Sequence, residues 1–130
     1  MGLDNGIEVR RTKDLPRAVR AFDEEWCEKN GYDIEIAYWR KCWNVRALIL
    51  RTISEFDEDE GEVELSRDDV LKIIKALRGI NRKNYYDGAG SFWNWHEFKG
   101  FNRRNIRNLK KLARIMKRHP DISVYFYDSY

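Results

Sequence analysis

Between Arg103 and Arg118 the chain places eight cations, Arg103, Arg104, Arg107, Lys110, Lys111, Arg114, Lys117 and Arg118, and no acid. At 100° per residue of an α-helix they fall within an arc of about 140°. Ile106, Leu109, Leu112, Ala113 and Met116 fall within an arc of about 120° on the other side. Such a face, about 24 Å long at 1.5 Å per residue, suits phosphates, an acidic protein or an anionic membrane. The bland alternative is a solvated helix face, since Lys and Arg are good helix formers. Surface helices, however, usually intersperse Glu four residues from Lys or Arg, which stabilises by about 0.2–0.5 kcal/mol per pair. This stretch forgoes every such pair. A membrane is the weakest of the three partners, because the apolar face is small and carries no Trp or Phe.

Beside the basic stretch, Tyr85, Tyr86, Phe92, Trp93, Trp95, His96, Phe98 and Phe101 crowd into seventeen positions. Aromatic rings next to cations can hold single-stranded nucleic acid, with bases stacking while phosphates pair. Trp93 and Trp95 are the candidate stacking residues. Burial of the same rings in a core is the commoner use of aromatics. The nearby Asp-Gly-Ala-Gly lacks the rest of a phosphate-loop motif.

Catalysis needs a titratable group with a partner in a cleft. His96-Glu97 and Cys42 beside Lys41 are the only candidates, and a thiol in an apolar stripe is inert. Cys27, Cys42, His96 and His119 match no zinc-ligand spacing. The expectation is therefore no catalytic residue, no metal and no cofactor. Two cysteines make no disulfide framework, and both are expected to be reduced and at least partly buried.

The elements that must position these residues follow from periodicity. Ile7 and Val9 alternate with Glu8 and Arg10, which predicts a strand. Asp14 as a cap, Pro16 in the first turn and the spacing of Leu15, Val19, Phe22 and Trp26 predict a helix that stops at Asn30-Gly31. Tyr32, Ile34 and Ile36 alternate with Asp33, Glu35 and Ala37 as a second strand. A helix is then expected from Trp39, with Cys42, Trp43, Val45, Ile49, Leu50, Ile53 and Phe56 making a broad apolar stripe. That breadth predicts the most buried helix.

An acidic loop follows: Glu55–Asp69 holds nine acids and one base, Arg67. "VEL" reads as a short strand. Ser66 and Asp69 form a capping-box pattern ahead of the stripe Val70, Ile73, Ile74 and Leu77, and Gly79 ends that helix. A strand is expected around Phe92–Trp95. The basic helix is expected to be capped by Asn102 and stopped before Pro120, and "ISVYFYDSY" reads as a final strand.

At 130 residues the chain fits one domain, 1–130. Its net charge of +3 conceals a division. Residues 1–69 carry 11 basic and 18 acidic side chains, and residues 70–130 carry 14 and 4. The halves thus hold net charges of −7 and +10. This points to a polyanionic partner or to self-association between unlike patches. No apolar run approaches the roughly 18 residues that span a bilayer, and the N-terminus carries no signal-peptide core. The cytoplasm is the expected location.

Two short stretches, "MGLD" (Met1–Asp4) and "EIAYWRK" (Glu35–Lys41), carry a resemblance. The chain resembles a family of small uncharacterised proteins of phages, prophages and bacteria, which open with a similar MGLD and bear a Tyr-Trp-Arg-Lys run at a strand-to-helix junction. The resemblance implies an α+β architecture and no particular activity. It carries over to Tyr38, Trp39, Arg40 and Lys41. In the following helix this chain has Cys42, Trp43 and Arg46 where the family pattern has a small residue, an Asn and later a His.

Together these readings predict an α+β fold, a small, mainly antiparallel sheet with about four helices packed on it. The first functional expectation is a non-enzymatic module binding nucleic acid or another polyanion through residues 103–118. The alternatives are a phage-type accessory or inhibitor protein acting on a protein partner, and an enzyme of unknown reaction. The expected partners are nucleic acid or an acidic protein, no membrane, and a second copy of the chain as a further candidate.

Overall fold

A computed structural model describes residues 4–25, 33–53, 61–85 and 93–129. The elements are β1 (Asp4–Arg10), α1 (Arg17–Glu25), β2 (Asp33–Arg40), α2 (Trp43–Thr52), β3 (Glu62–Leu65), α3 (Arg67–Arg78), α4 (Trp95–Arg118) and β4 (Val124–Ser129). The strands form one antiparallel sheet in the order β2-β1-β4-β3. The architecture is the expected α+β. Trp26, Cys27, Asn30, Gly31, Phe56, Tyr86, Phe92 and the acids Glu55–Glu60 lie outside the described residues.

Alternation sorts the sheet into two faces. Ile7, Val9, Ile34, Ala37, Trp39, Leu65, Val124 and Phe126 are buried on the inner face and share one core with the helices. The outer face carries Glu8, Arg10, Asp33, Glu35, Tyr38, Glu62, Glu64, Tyr125 and Tyr127, as the pairing register requires.

The register shifts between Ile7 and Glu8, so that Ile36 is the extra residue on β2. This bulge corrects two expectations. Ala37, expected beside Asp33 and Glu35, turns into the core. The strand also continues, pairing Trp39 with Asn5 and Arg40 with Asp4, and the helix expected from Trp39 begins only at Trp43. Lys41, with φ +50°, makes the corner between them. Within α2, Val45 and Ile49 are buried while Trp43 is 38% exposed, so α2 is not the most buried helix. α3 and α4 each bury a larger share, four of 12 and eight of 24 residues.

The basic helix is longer than expected. Its cap is Asn94, whose side chain accepts from the Glu97 N–H at 2.9 Å. Trp95 is its first residue and not the end of a strand. Asn102, expected to be the cap, lies inside the helix and donates Nδ2–H to the Leu77 carbonyl at 3.1 Å. Ser66 and Asp69 close their capping box reciprocally, at 3.1 and 2.9 Å.

Two further asparagines of α4 hold the sheet edge. Asn105 donates to the Tyr38 carbonyl at 3.0 Å and accepts from the Tyr38 N–H at 3.4 Å. Asn108 donates to the Ile36 carbonyl at 3.3 Å. An edge strand otherwise presents free backbone groups that invite pairing with another chain. Here β2 is an edge on which the Tyr38 N–H and carbonyl and the Ile36 carbonyl are taken up by α4. The helix that carries the cations is thereby fixed to the sheet.

Candidate anion-binding surface and carboxylate cluster

Asn105 and Asn108 face the sheet, and this orientation decides where the cations go. Arg103, Arg107, Lys111, Arg114, Lys117 and Arg118 are exposed, and Arg104 and Lys110 are half-buried. Among the described residues no acid pairs with Arg103, Arg107, Lys110, Lys111, Arg114, Lys117 or Arg118. Arg103, Arg107, Lys110, Arg114 and Lys117 follow one another at steps of four and three residues, which places them along one edge of the helix.

That edge faces α3. Arg67, Leu71, Lys75 and Arg78 form the corresponding stripe of α3, and Arg67 Nε–H donates to the Ala113 carbonyl at 2.9 Å. Between the helices lies a groove of about 310 Å³, with Arg67, Lys75, Arg78, Lys110 and Arg114 on its rim. A smaller groove of about 280 Å³, lined by Ala18, Arg114, Ile115, Arg118 and His119, lies on the other side of Arg114. The sequence periodicity showed α4. The contribution of α3 was hidden, because Asp68 and Asp69 dilute its charge within the acidic stretch.

The aromatic stretch serves the core more than the surface. Trp93 is buried and stacks on Phe101, with ring centroids 4.2 Å apart and planes 12° apart. Tyr85 is buried, stacks on Phe98 at 4.4 Å and donates its hydroxyl to the Trp93 carbonyl at 2.6 Å. Trp95 is half-buried at the amino end of α4, tilted against Tyr85 and Phe98. Of the two tryptophans, Trp95 therefore keeps accessible ring surface. His96 and Glu97 are exposed, and Cys42 is a buried free thiol that donates to the Arg40 carbonyl at 3.3 Å.

Asp4, the described residue of the first stretch that carries the resemblance, meets Tyr38 and Arg40 of the second across β1 and β2. The Tyr38 hydroxyl donates to Asp4 Oδ1 at 2.8 Å, and Arg40 is the cross-strand partner of Asp4. Burial, then that hydrogen bond and the Asp4 charge, push the Tyr38 phenol above its ordinary value. On the inner face Asn5 is fully buried between Trp39 and Asp128 in the register. Neither polar atom of its amide, nor the Trp39 indole N–H, has a hydrogen-bond partner among the described residues.

The outer face holds a group that sequence reasoning missed. Glu8 and Glu35 are direct cross-strand partners, and Asp33 lies opposite Arg10 on the same face. Burial first, then the Asp33 and Glu35 carboxylates, push the Glu8 carboxyl up to about 7, against an opposing pull from Arg10. Tyr127 donates its hydroxyl to Glu35, and burial together with that carboxylate moves its phenol well above the ordinary range. Arg10 lies 4.1 Å from the Tyr125 ring centroid and also pairs with Glu62 and Asp33. A carboxyl titrating near neutrality can hold or release a proton. Alternation showed that these side chains share faces within their strands. The strand order that joins them was not legible.

Among the described residues no group of His, Cys, Asp and Glu is arranged to hold a metal ion, and no helix is long and apolar enough to cross a membrane. No protein-family model matches the chain, and no curated protein and no solved structure matches it significantly.

Proposed function

We propose that the chain is a non-enzymatic binding module that holds a polyanion, either nucleic acid phosphates or the carboxylates of an acidic protein, on the outward face of α4. The observation that carries this reading is the row Arg103, Arg107, Lys110, Arg114 and Lys117. It points away from the sheet, has no acid partner among the described residues, and runs beside a second set of cations on α3. Cations in such an array repel one another. An anionic ligand relieves that repulsion and releases counterions as it binds. A merely solvated face would gain from interspersed acids, and α4 has none from Arg103 to Arg118.

Heparin chromatography tests this reading. The native chain is expected to be retained at low salt and released as salt rises. Arg107, Lys111 and Arg114 replaced together by Glu should remove retention without loss of helical circular dichroism, because these side chains lie opposite Leu109 and Leu112. Equal elution of the two proteins would contradict the reading.

Of the two polyanions, nucleic acid and an acidic protein, the acidic protein is favoured by the apolar floor of the α3–α4 groove.

A further inference from the structure

The groove between α3 and α4 offers more than charge. Its five cations come from both helices, with Arg67, Lys75 and Arg78 on one side and Lys110 and Arg114 on the other. Its floor is Leu71, Ile74 and Ala113. Leu71 is 39% exposed, while Val70, Ile73, Ile74 and Leu77 of the same helix are buried in the core. The core therefore does not account for an apolar side chain at position 71. Lys72 and Lys75 beside it show that a polar residue is tolerated on this side of the helix.

The chemistry of the floor discriminates between polyanions. A phosphate backbone pairs with cations and hydrogen-bond donors, and single-stranded bases favour aromatic platforms. Neither gains from a leucine lying between two rows of cations. An amphipathic helix with a narrow apolar stripe and carboxylates on both flanks meets every part of the groove. Helices of this kind are read in grooves through anchors at i, i+3 or i+4, and i+7. The trough between two packed helices also has the ridged surface that receives a third helix.

We propose that the α3–α4 groove docks an acidic amphipathic helix of a partner protein. The apolar anchor of that helix lies on Leu71, the exposed side chain of a floor whose Ile74 and Ala113 are themselves buried. Its acids on one flank meet Arg67, Lys75 and Arg78, and those on the other meet Lys110 and Arg114. The inference rests on the polyanion reading above and names the occupant of the groove.

Fluorescence anisotropy tests it with three labelled probes. The first is a peptide of about five helical turns built from Leu, Ala and Glu, with Leu in one stripe and Glu on both flanks. The second has the same composition with the stripe scrambled, and the third is a single-stranded DNA of similar charge. The patterned peptide is expected to bind about tenfold more tightly than the scrambled one, the scale of burying part of a leucine side chain. Leu71→Gln should remove that preference and leave the scrambled peptide and the DNA unaffected. Arg114→Glu should weaken all three probes. Equal affinity for the two peptides, or an unchanged preference in Leu71→Gln, would overturn the docking proposal while leaving the polyanion reading intact. If none of the probes binds at low salt, both fall.

Discussion

The Tyr127 hydroxyl stands 2.9 Å from Oε1 and 3.1 Å from Oε2 of Glu35, although β1 runs between the strands that bear them. Gly6 of β1 makes this reach possible. It pairs with Tyr127 on one side and Tyr38 on the other, and without a side chain it lets the Tyr127 ring lie across the strand. A Cβ at Gly6 would sit 2.7 Å from the Ala37 carbonyl oxygen and 2.9 Å from the Tyr127 ring and hydroxyl.

Gly6→Ala should therefore destabilise the fold by about 1–3 kcal/mol, the usual cost of overpacking, read by urea denaturation. Adding Tyr127→Ala should not restore stability, because the backbone oxygen of Ala37 remains in the way. Full rescue by the second substitution would show that the ring alone is the obstacle.

Asn105 satisfies both backbone groups of Tyr38. Asn105→Ala leaves a donor and an acceptor unpaired beneath α4, at about 1–3 kcal/mol for each group left buried. Denaturation should show the loss, and hydrogen exchange at the Tyr38 amide should accelerate more than at Val9 on the neighbouring strand. Unchanged exchange at Tyr38 would mean that the edge is protected by other means.

The features legible in the sequence were those decided within a few residues. Ser66 and Asp69 announce their capping box, Pro120 lies just beyond α4, and the opposed leucines and cations of α4 reveal its faces. Asn102, Asn105 and Asn108 left a signal too. Poor helix formers spaced by three, they fall on the leucine side of α4, where polar side chains need partners. Those partners lie 25 to 72 positions away, so the signal says that bonds exist and not where they go. The bulge at Ile36 and the meeting of Glu8, Glu35 and Tyr127 depend on register and strand order, which alternation within one strand does not encode.

The Glu8 carboxyl gives the stability a pH dependence of known sign. Its value in the fold, about 7, lies above its ordinary 4.5, so between these limits the folded chain binds more proton than the unfolded chain. The contribution is fully present below about 4.5 and is lost as pH rises through about 7. Glu8→Gln should remove this dependence. The stability of the native chain relative to Glu8→Gln should fall from pH 4.5 to pH 7 and then level off in denaturation series. A difference that is constant or rises with pH would contradict the assignment.

Arg46 Nε lies 2.7 Å from Asp128 Oδ2, and the two side chains are 13% and 1% exposed. Arg46→Ala would take its cation from a buried carboxylate and should cost about 3–5 kcal/mol, whereas replacing both members by apolar residues of similar volume should cost far less. Equal losses for the single and double variants would show that the pair is not what holds α2 to β4.

The central claim is that the outward face of α4 binds a polyanion, and the salt dependence of binding tests it most directly. A short single-stranded DNA and poly-glutamate, titrated by anisotropy at several salt concentrations, serve as probes. If about three to five of the eight cations contact phosphates, each releasing about 0.7–0.9 counterions, log K for the DNA should fall against log salt with a slope of roughly −2 to −4. Reversing Arg107, Lys111 and Arg114 to Glu should abolish binding of both probes at moderate salt while the fold persists. Affinity no tighter than millimolar for either probe at low salt, or a charge-reversed variant that binds as the native chain does, would contradict the account.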